Sequence, residues 1–178
     1  MNYMSINSCD LANGEGVRCS LFVSGCKFHC PGCFNPTAQC FEAGEHYGID
    51  TMKEIVYNTD KPWCSGLSIL GGDPMWQKEK GLRCLKNLCD CVHGQGKTVW
   101  LWTGFTWEDL IDPPLNMENS MFSARYALLK NVDILVDGQF IESQKDLSLR
   151  WRGSKNQRVI DVKKSLEKGE VVLYEKTY

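Results

Sequence analysis

The stretch Gly25-Cys26-Lys27-Phe28-His29-Cys30-Pro31-Gly32-Cys33-Phe34-Asn35 constrains this chain more than any other. Three cysteines fall within eight residues, spaced Cys-x3-Cys-x2-Cys. Thiolates are soft ligands that favour zinc, copper(I) and iron–sulfur clusters. A structural zinc site wants four protein ligands, and a cubane cluster has four irons, usually with one cysteine each. Three cysteines on one loop leave one iron without a protein ligand, and that iron can take a substrate, as the open position of a catalytic zinc does. Pro31 and Gly32 let the loop turn sharply, so that the sulfurs converge. Two blander readings compete. His29 as fourth ligand would make a structural zinc site, or three unrelated buried thiols share this spacing by accident.

Composition narrows the class. At 178 residues the chain suits one domain, residues 1–178, with a real core. Its net charge of −2 points to neither nucleic acid nor a membrane surface, and no apolar run is long enough to span a bilayer. Met1-Asn2-Tyr3-Met4-Ser5-Ile6-Asn7 has neither a basic n-region nor an apolar h-region, so the expected location is the cytoplasm. Ten cysteines in a reducing compartment suggest metal ligation or buried thiols rather than disulfides. One cluster needs fewer than ten. Cys84, Cys89 and Cys91 match no trusted ligand spacing and read as buried or half-buried thiols. Cys9, Cys19, Cys40 and Cys64 receive no role.

In chain order, residues 1–16 read as a polar lead-in with turn signals at Asn13-Gly14 and Glu15-Gly16. Residues 17–24 read as a buried strand that runs into the cysteine loop. Residues 37–50 show no clear period. Residues 51–59 read as a helix with Thr51 as N-cap and Glu54 completing a capping box. Gly66-Leu67-Ser68-Ile69-Leu70 is a short strand leading into Gly71-Gly72-Asp73-Pro74. That tetrad is either a plain strand-end turn or a site. Paired glycines let a ligand approach the backbone, and carbonyls with the Asp73 carboxylate suit an ammonium group. Residues 77–92 read as an amphipathic helix with Leu82, Leu85, Leu88, Cys89 and Val92 on one face.

Residues 97–102 read as a strand ending in Thr103-Gly104. Thr106 caps a short helix through residue 111, closed by Asp112-Pro113-Pro114. A loop over 113–120, a helix over 121–130 and a strand over 132–136 follow, the last ending in Asp137-Gly138. Residues 142–148 look exposed. Residues 149–158 are basic, a solvated loop or a contact surface. Strand 159–162, helix 163–168, a turn at Gly169 and strand 171–174 complete the chain. Strands alternating with helices argue for α/β with a mostly parallel sheet. Four glycine-bearing segments follow four successive strands. In parallel α/β folds such segments share one face of the sheet, where ligands bind.

Gly14-Glu15-Gly16-Val17-Arg18, then Phe22, Gly25-Cys26, the three cysteines and Asn35 together resemble the signature of the radical S-adenosylmethionine (SAM) activases of glycyl radical enzymes. Gly32 stands where many radical SAM enzymes carry an aromatic residue, and the pattern is most similar to the branch that activates anaerobic ribonucleotide reductase. The resemblance implies a partial, open (β/α) barrel. It implies a 4Fe-4S cluster on Cys26, Cys30 and Cys33, and SAM held near Gly71, Gly72, Asp73, Phe34, Asn35, Thr103 and Asp137. It implies cleavage of SAM to a 5′-deoxyadenosyl radical, with an electron from a donor such as flavodoxin. Gly14, Gly16, Arg18, Arg152, Asn156 and Arg158 would meet the protein substrate, the large reductase subunit. The rivals are a radical SAM enzyme of small molecules, similar to the 7-carboxy-7-deazaguanine synthases, and a non-enzymatic metal-binding module.

Overall fold

The computed structural model describes residues 1–112 and 118–175. Residues 113–117 of the loop expected over 113–120, and with them the expected helix stop at Pro113-Pro114, lie outside the described residues, and Asn119 and Ser120 open a helix instead. One seven-stranded sheet organises the chain. Its strands are β1 (Asn2–Asp10), β2 (Arg18–Val23), β3 (Glu45–His46), β4 (Gly66–Gly71), β5 (Thr98–Trp102), β6 (Ile134–Asp137) and β7 (Arg158–Asp161), in spatial order β3-β1-β2-β4-β5-β6-β7. β2, β4, β5 and β6 run parallel. β1 and β3 close one edge antiparallel, and β7 closes the other. The sheet is open, so the α/β, mostly parallel expectation holds for its centre and gives way at both edges.

Period-two alternation places the core. Cys19, Leu21 and Val23 of β2, Leu67 and Ile69 of β4, Val99 and Leu101 of β5 and Leu135 of β6 are buried in one cluster with the helices. These helices are α1 (Ile49–Thr59), α2 (Glu79–Gly94), α3 (Trp107–Ile111), α4 (Asn119–Leu129) and α5 (Val162–Lys168). On the opposite sheet face, Trp100, Ile134, Val136 and Val159 pack with Trp102, Trp151 and Tyr174. Leu82, Leu85, Leu88, Cys89 and Val92 are the buried stripe of α2, as their spacing requires. Cys89 is buried, Cys84 half-buried and Cys91 exposed, so the third is a surface thiol.

Helix ends follow local chemistry. Thr106 caps α3 by accepting from the Asp109 amide, and Asp109 returns a bond to the Thr106 amide. Asp161 caps α5, and Gly169 ends it in the left-handed conformation. α1 departs from expectation: Gly48 is its N-cap, and Thr51 sits three residues in, where its hydroxyl accepts from the Gly48 amide at 3.3 Å. β1 lies within residues 1–16, where the sequence predicts a polar lead-in and no strand. Its register slips between Tyr3 and Ser5, a bulge that moves the half-buried core-packed positions from Tyr3 to Ile6 and erases the alternation. The expected strand at 171–174 is a single bridge, Leu173 to Ile160.

Candidate metal centre

The register fixes two ends. Arg18, Gly66 and Thr98 pair at the start of the parallel strands; Val23 pairs with Gly71, and Trp102 with Val136, at their finish. The cysteine loop leaves the finish of β2 and is sewn to its neighbours. The Gly72 amide donates to Val23 O at 2.7 Å, the Asp73 amide to Gly25 O at 2.8 Å, and the Gly25 amide to Ala38 O at 2.7 Å. A Cβ at Gly72 would sit 2.7 Å from both Gly25 O and Ala38 O. That glycine is therefore needed for the approach of the loop's own backbone.

Cys26, Cys30 and Cys33 are half-buried free thiols on this loop. Burial pushes the Cys26 thiol up to about 11 and raises Cys30 as well. Iron ligation would displace these protons. His29, the candidate fourth ligand, holds its Nδ1 2.8 Å from Gln39 Oε1. Among the described residues no three His, Cys, Asp or Glu groups gather tightly enough for one metal ion. Three soft donors on one anchored loop fit a cluster that spreads its ligands over several irons. Cys30 Sγ lies 3.9 Å from Gln139 Oε1, and Glu142 packs against Gly32. The segment after β6 thus covers one flank of the loop, while 142–148 is largely exposed, as expected.

Asp73 is 1% exposed, and burial pushes its carboxyl up to about 6. Oδ1 accepts from the Met75 amide at 2.8 Å, Oδ2 from the Gly104 amide at 2.8 Å, and Thr103 Oγ1 bridges both oxygens at 2.9 and 3.0 Å. The carboxylate expected to meet a ligand ammonium group is engaged inside the protein. Thr103 shares that engagement. Phe28, between the first two cysteines, lies on Gly104, where a Cβ would come within 2.5 Å of the ring. It also packs edge-on against Phe105 and Trp76, with centroids 4.9 and 5.5 Å away. Phe34 is 89% exposed, its ring 6.0 Å from Lys145 Nζ. Asn35 caps the 3-10 turn Pro36–Gln39 through its carbonyl.

Other expected site residues are turned inward. Asp137 accepts from the Trp107 amide and from Arg158, and Arg158 also forks onto Glu108. Asn156 donates to Gln139 O, and Arg152 to Gln157 O. Gly14, Gly16 and Arg18, expected to meet the protein substrate, belong to the start of the strands, the end opposite the three-cysteine loop. Arg18 is 1% exposed. Its five N–H groups reach Ser68 Oγ, Glu15 O, Thr98 Oγ1, Leu67 O and Thr98 O. The guanidinium is an internal tie, and burial lowers it to about 10. Sequence reasoning also missed Gln77, whose Nε2 donates to Ser24 O at 2.8 Å and steadies the start of the cysteine loop. Its place four residues past Asp73 was the only local signal.

Residues 12–160 match the family described as a 4Fe-4S single cluster domain. The cysteine loop therefore sits within an iron–sulfur protein fold. Over 161 residues the chain is 38% identical to the anaerobic ribonucleoside-triphosphate reductase-activating protein of Vibrio cholerae, covering 88% of this chain and 96% of the relative. The protein of that name from Enterobacteria phage T4 is 34% identical, covering 89% and 93%. The one from Haemophilus influenzae is 36% identical, covering 88% and 96%. The chain belongs to the family of anaerobic ribonucleoside-triphosphate reductase-activating proteins.

Proposed function

We propose that this chain is a radical SAM activase that installs a glycyl radical on anaerobic ribonucleotide reductase. The observation that carries the reading is the docking of the three-cysteine loop against the Gly71–Gly72 end of β4, at the finish of the parallel strands. When bound, a 4Fe-4S cluster supplies the electron that splits SAM into methionine and the 5′-deoxyadenosyl radical that takes hydrogen from a glycine of the reductase. Cys26, Cys30 and Cys33 hold the cluster. The strand-end backbone at Gly71, Gly72 and Thr103 offers polar groups to SAM, and Phe34 and Asn35 flank the same loop. Arg152 and Asn156 brace the segment that meets the cysteine loop through Gln139, and in this reading the reductase docks on that segment. The open sheet is then a partial barrel of the radical SAM type, in a cytoplasmic protein that takes its electron from a donor such as flavodoxin. Among the described residues no helix is long and apolar enough to cross a membrane.

The test is anaerobic reconstitution with iron and sulfide, followed by SAM and dithionite. 5′-Deoxyadenosine from wild type and none from Cys30→Ala supports the reading, as does a glycyl radical signal once the reductase is added. Zinc in place of iron and acid-labile sulfide would overturn it.

A further inference from the structure

We infer that Asp73 is a positioning residue for the cysteine loop, acting through Thr103-Gly104 and the Phe28 ring. The inference rests on the proposed cluster site and changes the part that Asp73 plays in it.

The contacts form a closed circuit. Asp73 holds the Gly104 amide and the Thr103 hydroxyl, fixing the finish of β5 against the finish of β4. Gly104 carries the face of Phe28 where a side chain would otherwise stand. Phe28 leans on Phe105 and Trp76. The Arg125 guanidinium covers these two rings at 4.4 and 5.3 Å from their centroids. Arg125 Nε donates to Met75 O at 2.8 Å, and the Met75 amide returns to Asp73 Oδ1. Phe28 lies two residues after Cys26 and two before Cys30, so the seat of its ring fixes the chain between two sulfurs. The backbone adds a second tie, from the Asp73 amide to Gly25 O at the root of the same loop.

Burial separates this role from ligand binding. Asp73 is 1% exposed and already accepts from the Met75 amide, the Gly104 amide and the Thr103 hydroxyl, so an outside ammonium reaches it only if the residues covering it move. Its loss would be felt first by the loop, before any ligand is present.

The experiment uses the full chain, metal-free and without SAM. Alkylation of each cysteine by N-ethylmaleimide is followed by peptide mass spectrometry in wild type, Thr103→Val, Thr103→Ser and Asp73→Asn. Thr103→Val removes the bridging hydroxyl at nearly constant volume. It should speed modification of Cys26 and Cys30 roughly tenfold, the scale of one lost buried hydrogen bond to a charged group. Thr103→Ser should restore the wild-type rate. Exposed Cys91 and buried Cys89 serve as internal references. Rates at Cys26 and Cys30 that stay at the wild-type level in Thr103→Val overturn the inference. So does an equal rise at Cys89, which would report general loosening. If Asp73→Asn does not fold, the Thr103 pair carries the test. Failure of wild type to take up iron and sulfide falls on the proposed function alone, because these rates are read without metal.

Discussion

Arg158 and Asp137 face each other across β7 and β6 as a direct register pair, with Arg158 Nε donating to Asp137 Oδ1 at 3.1 Å. The side chain of Asp137 is 1% exposed, whereas that of Glu108, on the other side of the same guanidinium, is 59% exposed. The two carboxylates hold Arg158 in its charged form. Removing Arg158 strands a buried carboxylate, while removing Glu108 frees a solvated one. Arg158→Ala should lower unfolding stability by about 2 kcal/mol, and Glu108→Ala by about 0.5 kcal/mol. Urea unfolding of both variants checks this; equal losses would contradict it.

Arg18→Lys keeps the charge and loses the fork. A lysine has three donors against the five that Arg18 uses on β4, β5 and the loop before β2. The variant should lose about 3 kcal/mol of stability. A stable Arg18→Lys chain that bound the reductase poorly would instead return Arg18 to the partner surface.

Asp73 predicts a pH dependence for the metal-free chain. Burial raises its folded pKa from 3.8 to about 6. A carboxyl with a raised folded pKa contributes most below the unfolded value, and that contribution is lost as pH rises through the folded value. Between about pH 4 and pH 6 wild type should therefore lose stability relative to Asp73→Asn, by at most roughly 3 kcal/mol. Denaturant midpoints at a series of pH values measure it, and parallel curves for the two chains would refute it.

Cysteine replacements should split by position. Cys30→Ala should lose reconstituted iron and sulfide outright, as should Cys26→Ala and Cys33→Ala. Cys91→Ser, on an exposed stretch of α2, should keep both. Cys89→Ala should keep them too, at a stability cost of about 1 kcal/mol for the cavity. Loss of iron in Cys89→Ala or Cys91→Ser would reveal a second centre.

Legibility in the sequence tracked how local each interaction is. Thr106 with Asp109, the stripe of α2 and the alternation of β4 and β5 depend on neighbours a few residues apart, and their elements appear close to where they were expected. The bulged β1 and the two-residue β3 depend on pairing with distant strands, so no period announces them. The cysteine loop and the strand end at Gly71–Gly72 were identifiable as neighbours. What a polar side chain does there was not. Asp73 and Asp137 at strand ends look alike on paper whether they await a ligand or cap a backbone amide. Arg18 reads as a contact to the protein substrate until Leu67 O and Thr98 O are brought around it.

The internal tie made by Arg18 has a consequence for variation. It fastens β2, β4 and β5 at the end opposite the three-cysteine loop, so the base of the sheet owes little to the loops at the rim. Substitutions confined to the rim loops should leave the scaffold beneath them standing. Tolerance and novelty are thereby assigned to opposite ends of the same strands.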